Sequence, residues 1–181
     1  MVEYVEGDLV LTVPEEFTPE NFDSGSHGMS HCLKAVDYVF EIPSHLVFLE
    51  IKDPDCPPPA KIKEKKDLAR IESEKDDFVR RFKSGAIDEE LAKKHRDTWM
   101  YKRSEQKVGL KPIRYFVLLA CKSLSSTEFL ARTEGLRRKI PVNGRSGQDW
   151  SWLIEDCAVV SLEAWNKYFP KIPIVRSSAK E

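Results

Sequence analysis

The stretch HLVFLEIKDPD, residues 45–55, decides how this chain is read. Leu46 to Ile51 is an apolar run of strand length, interrupted by Glu50 and followed by Lys52. Charged side chains are rarely buried unless they are paired or hold a metal. Either the strand is half exposed, or its charges are its purpose. Residues i and i+2 of a strand share a face, so Glu50 and Lys52 point one way and Leu49 and Ile51 the other. Upstream, KAVDYVFEI (34–42) alternates too: Val36, Tyr38 and Phe40 fall on one face, Asp37, Val39 and Glu41 on the other. The intervening PSH suits a turn, and the two runs predict an antiparallel hairpin. One register of that hairpin brings Asp37 beside Glu50 and Lys52, with an apolar reverse face. DPDCPPP then ends the second strand, because proline cannot extend a central strand.

Working outward, DLVLTV (8–13) reads as a strand ended by Pro14, and PEEFTPENFD as a short helix or turns. Residues 61–84 place Leu68, Ile71, Phe78, Val79 and Phe82 at helical spacing. Gly85 fits the stop of that helix and Asp88 the N-cap of the next. The second helix runs to about residue 104 and carries Leu91, His95, Thr98 and Trp99 on one side. PIRYFVLLACK (112–122) is a buried strand by apolar density. Ser125 and Glu128 stand at capping-box spacing before a further helix. CAVVSL is a short strand, and EAWNKYF a helix ended by Pro170. Strands and helices intermingle around one sheet. The expectation is one α/β domain over residues 1–181, with a mixed central sheet flanked by helices and its core in about 34–122.

Composition narrows the classes. The chain has 181 residues, 41% apolar and 33% charged, enough for one domain with a real core. No apolar run is long enough to cross a bilayer, and MVEYVEGDLV lacks the basic start and apolar block of a signal peptide. The expectation is a cytoplasmic protein with no membrane partner. Cys32, Cys56, Cys121 and Cys157 form no CxxC pair and no zinc spacing, and read as reduced thiols, mostly buried. The net charge of −1 hides an asymmetry. Residues 1–60 hold 12 acidic and 2 basic side chains, −10; residues 61–181 hold 18 and 27, +9. Carboxylates that collect cations beside basic residues that collect a polyanion would give this division, as would plain solvated helices.

Two carboxylates held together repel each other, and a divalent cation relieves that repulsion. Hard oxygen ligands suit Mg²⁺ or Mn²⁺. A lysine beside them can stabilise charge developing on a phosphate or help orient an attacking water. Glu-x-Lys occurs three times, at Glu50-Ile51-Lys52, Glu64-Lys65-Lys66 and Glu105-Gln106-Lys107. The first alone ends an apolar strand with an aspartate at hairpin distance.

AVDYVF followed by VFLEIKD resembles the PD-(D/E)xK, or restriction-endonuclease-like, nuclease superfamily, over about Lys34 to Cys121. The resemblance implies a restriction-endonuclease-like mixed sheet and Mg²⁺- or Mn²⁺-dependent hydrolysis of phosphodiesters, in DNA ahead of RNA. It implies Asp37 and Glu50 as metal ligands, the Ile51 backbone carbonyl as a further ligand, and Lys52 as the catalytic lysine. The proline that names the motif is absent; Val36 precedes Asp37. An acid from an early helix often joins such sites, and Glu16 or Glu20 could serve. A homodimer, or a place in a repair or defence complex, would also suit the resemblance.

Other groups have blander readings. Lys61, Lys63, Lys65 and Lys66 follow the motif strand directly and are the best candidates for nucleic-acid contact. Clusters at Arg80/Arg81/Lys83, Lys93/Lys94/Arg96, Lys102/Arg103 and Arg137/Arg138/Lys139 read mostly as solvated helix faces. NGRSGQ suits a loop over a groove but has no complete phosphate-binding signature. His27 and His31 are four apart in a Gly/Ser-rich stretch, and they, His45 and His95 read as solvated or core histidines. The tryptophans could stack on bases, with Trp99 and Trp165 better placed in the core. Two further function classes stay open: an inactive nuclease-like fold that binds nucleic acid or protein, and acid/base chemistry on a sugar by paired carboxylates.

Overall fold

The computed structural model describes residues 1–181 apart from 18, 23–27, 29–30, 106–110, 143, 145, 147 and 180–181. His27, part of the NGRSGQ loop and the end of the third Glu-x-Lys lie outside the described residues.

The 45–55 stretch forms β5 (Leu46–Lys52), the middle strand of a five-stranded sheet. β4 (Tyr38–Glu41) pairs with it antiparallel, Tyr38 opposite Leu49 and Glu41 opposite Leu46, as the alternation predicts. β6 (Ile113–Leu119) and β7 (Asp156–Val160) follow in parallel, and the two-residue β3 (Glu20–Asn21) closes the far edge. The order β3-β4-β5-β6-β7 makes a mixed sheet. β5 and β6 read as near-continuous apolar runs because both faces are covered.

Helices cover one face. α1 (Lys65–Ser84) stops at Gly85, whose φ of 78° is the left-handed conformation glycine adopts at little cost. α2 (Asp88–Ser104) begins one residue earlier than expected: Ile87 is the N-cap, and Asp88 is buried in an ion pair with Arg132 at 3.0 Å. α3 (Ser126–Arg137) carries the expected capping box, with Ser125 and Glu128 each satisfying the other's backbone N–H. Phe82, Leu91, Phe129 and Leu136 pack from this layer on Val39, Phe48, Tyr115 and Val117. Thr133 of α3 accepts a hydrogen bond from the Val159 N–H, which closes part of the exposed edge of β7.

The reverse face corrects the one-sheet expectation. β1 (Val2–Glu6), β2 (Leu9–Val13) and β8 (Ile174–Arg176) form a second, antiparallel sheet in the order β1-β2-β8. Together with α4 (Leu162–Tyr168) it buries Tyr38, Val47, Leu49, Phe116 and Leu118 against Leu9, Leu11, Trp165 and Ile174. Phe116 meets Trp165 and Phe169 edge to face. The chain is thus one α/β domain, with a mixed sheet between a helical layer and a small second sheet.

Two of the four cysteines, Cys121 and Cys157, are buried; Cys56 is half-buried and Cys32 exposed, so burial of most of them does not hold. None is in a disulfide. Among the described residues, no helix is long and apolar enough to cross a membrane.

Candidate active site

Continuing the β4–β5 register by one step sets Asp37, the residue before β4, opposite Glu50. Asp37 Oδ2 accepts a hydrogen bond of 2.5 Å from the Ile51 N–H. The N–H and C=O of a strand residue face the same edge, so the Ile51 carbonyl faces that side as well. Asp37 is held from three sides. Its own carbonyl accepts from the Phe22 N–H at 2.9 Å. The neighbouring Val36 N–H donates to Thr98 Oγ1 at 3.0 Å, and the Lys34 N–H to Asp97 Oδ2 at 2.8 Å. α2 therefore sets where the lead-in to β4 lies.

Glu50 is wholly buried and Asp37 nearly so. Lys52 Nζ lies 2.7 Å from Glu50 Oε1. A second ammonium, Lys94 of α2, lies 2.7 Å from the same Oε1 and 3.7 Å from Asp37 Oδ1. Two carboxylates and two lysines thus form one cluster on the helical side of the sheet. Glu50 Oε2 is buried and accepts no hydrogen bond. Burial, helped by the Asp37 charge, pushes the Glu50 carboxyl up to about 7 against the pull of Lys52 and Lys94. Burial alone would lower the Lys52 pKa, but the Glu50 and Asp37 carboxylates outweigh it and raise it.

Lys52 is the most exposed member, with 31% of its side chain accessible. It lines a cavity of about 300 Å³ with Pro54, Ile71, Lys75 and Phe78, between the end of β5 and α1. Asp53, the next residue, is gripped by the Arg176 guanidinium at 2.7 and 2.9 Å. Arg176 also donates to the Ala120 carbonyl and to Asp8, so the second sheet fixes the end of the motif strand.

Beneath Lys94, His95 is buried between Phe48 and Tyr115. Its Nε2 faces the Leu153 carbonyl at 3.2 Å, which can only accept, so Nε2 carries the proton. Burial lowers its pKa to about 4 and keeps it neutral. This is the core histidine that the helical spacing predicts. His45 instead sits in the β4–β5 turn against Ser44 and Glu155, and His31 is exposed. Trp165 is buried as expected, while Trp99 is half-buried against Trp152.

Asp37, Glu50 and Lys52 are therefore brought together. Glu16 and Glu20 are not: Glu16 is exposed in a 3-10 turn beside Met1 and Lys171, and Glu20 pairs with the buried Lys102. Glu16 lies in a three-residue 3-10 turn and Glu20 in β3, so neither is carried on an early helix. Lys61 and Lys63 are exposed on the approach to α1, and Lys65 and Lys66 are exposed in its first turn. Lys94, read in the sequence as part of a solvated face, is the member that sequence reasoning missed. Its signal was present: it lies three residues after Leu91 and four before Thr98, on the buried stripe of α2.

Among the described residues, no three His, Cys, Asp or Glu side chains gather as a complete metal cage. The donors that do meet are hard oxygens from adjacent strands, including one buried carboxylate oxygen with no hydrogen-bond partner. Such a set suits a cation that keeps several waters, as Mg²⁺ does. No family model, curated protein or solved structure matches the chain.

Proposed function

We propose that this protein is a Mg²⁺- or Mn²⁺-dependent nuclease of the PD-(D/E)xK type that hydrolyses phosphodiester bonds, in DNA ahead of RNA. One observation carries the reading. Asp37 and Glu50 stand at opposed positions of paired strands, with Lys52 two residues further on the same face and the buried Glu50 Oε2 lacking a partner. When bound, such a cation supplies Lewis-acid polarisation of the phosphoryl oxygen and acidifies water. Asp37, Glu50 and the Ile51 carbonyl would hold it. Lys52 is the most exposed of the four clustered side chains, and its ammonium can stabilise negative charge growing on the phosphate. Glu50 is wholly buried and Asp37 nearly so beneath α2, and the low dielectric there strengthens each of these interactions. The net reaction consumes one water, breaks one P–O bond and leaves a phosphomonoester and a hydroxyl.

The test is cleavage of plasmid and single-stranded DNA with Mg²⁺ or Mn²⁺, against EDTA. Lys52→Ala should abolish cutting while circular dichroism stays unchanged. Cutting that survives this substitution would remove Lys52 from the mechanism.

One observation favours a second reading, a nuclease-like fold kept as a nucleic-acid- or protein-binding module. Lys52 and Lys94 already balance the two carboxylates. Metal-dependent cleavage lost on Lys52→Ala excludes that reading; binding of DNA without cleavage under any metal supports it.

A further inference from the structure

Lys94 has no part in the pattern that led to the site, yet its ammonium is the one that reaches both carboxylates. Its ammonium touches both carboxylates, at 2.7 Å and 3.7 Å, and is almost as buried as they are. With Lys52 it brings the cluster of two carboxylates and two ammoniums to zero net charge. A divalent cation entering this closed set would leave two uncompensated positive charges where water is scarce, and isolated buried charge is costly. A phosphodiester strand lying against the exposed Lys52 would supply the missing negative charge.

We infer that Lys94 couples the two ligands: the site takes a divalent cation strongly only together with an anionic phosphodiester strand. The inference rests on the nuclease reading of the cluster and names its order of assembly. Lys94 acts here as a positioning and charge-balancing residue. It competes with the cation for Glu50 Oε1 and Asp37 Oδ1, and the incoming phosphates offset the charge that this competition opposes. Coupling is reciprocal, so the cation tightens strand binding by the same factor.

Direct Mn²⁺ binding, followed by electron paramagnetic resonance at pH 8, reads this without turnover. The full chain is titrated alone, with inorganic phosphate, with a phosphorothioate oligonucleotide that resists cleavage, and with a neutral methylphosphonate oligonucleotide of the same sequence. Mn²⁺ held by each oligonucleotide alone is subtracted. The charged oligonucleotide should tighten Mn²⁺ binding by about tenfold or more, within the usual range of coupling between sites, and the neutral one should not. Inorganic phosphate giving the same gain would overturn the requirement for a strand. Lys94→Met and Lys94→Gln should bind Mn²⁺ without the oligonucleotide and lose most of the gain. Equal Mn²⁺ affinity in the wild type with and without the charged strand overturns the inference and leaves the nuclease reading standing, and needs no variant to fold. Coupling that persists in both Lys94 variants overturns the role of Lys94. No Mn²⁺ binding under any condition overturns this inference and the nuclease reading together.

Discussion

The buried carboxyl of Glu50 gives a stability prediction of definite sign. An ordinary glutamate titrates at 4.5; burial and the Asp37 charge push Glu50 up to about 7 in the folded protein. Between those values the folded state keeps a proton that the unfolded chain has released. The stability that Glu50 contributes is therefore complete below 4.5 and is lost as pH rises towards 7. At about 1.4 kcal/mol per pH unit, the loss over the window is about 3 kcal/mol. His95 works the other way. Its burial lowers its pKa from 6.5 to about 4, so acidification through that range protonates the unfolded chain first and stability rises with pH there. The two slopes oppose each other from 4.5 to 6.5, and the wild-type curve alone would look flat across it. Glu50→Gln removes one limb. Urea unfolding in EDTA at half-unit intervals from about pH 4 to 8 then isolates that limb as the difference between the two proteins. The variant should gain about 3 kcal/mol on the wild type by pH 7 and then hold level. A difference independent of pH would mean that Lys52 and Lys94 offset the burial of Glu50 in full, and would refute its raised carboxyl.

Two further predictions test the supports of the site. Gly135→Ala should gain about 1 kcal/mol from helix propensity alone. Here its Cβ would instead fall inside van der Waals contact of Asp88 Oδ2, which is buried and tied to Arg132. A net loss of about 1–3 kcal/mol is expected in thermal unfolding, and a stabilised variant would refute the packing. Arg176→Ala strips Asp53 of both its hydrogen bonds from the guanidinium in a nearly buried pair. A loss of about 3–5 kcal/mol in urea unfolding is expected, and a loss below about 1 kcal/mol would show the pair to be solvated.

The legible part of the fold was the part encoded by alternation. The apolar runs of 38–40 and 46–51 set the hairpin, and the two-residue period of a strand sets the face on which Asp37, Glu50 and Lys52 lie. Lys94 was not legible from the motif because its contact with Glu50 spans 44 residues and depends on how α2 crosses the sheet. Counting it with Lys93 and Arg96 as one basic cluster hid the fact that the three point in different directions. Lys93 and Arg96 are exposed, whereas Lys94 follows Leu91 and Thr98 inward. The second sheet was hidden for a related reason. β1 carries Glu3 and Glu6 on an exposed edge, β8 has three residues, and its pairing with β2 joins opposite ends of the chain. No local pattern reports a partner that distant.

Glu50 is the point at which fold and site constrain each other. Strand β5 is apolar because both of its faces are covered, so a carboxylate in it is stable only where other side chains answer its charge. Lys52 and Lys94 answer it at one oxygen, and the Asp37 carboxylate opposes it from the paired strand. A one-residue slip between β4 and β5 would turn Asp37 towards the face of Tyr38, into the apolar core beneath the second sheet. It would leave an unanswered carboxylate there and send Tyr38 into the charged cluster. The register that buries the aromatics is therefore the same register that assembles the carboxylate pair. A change that loosened one would be expected to cost the other.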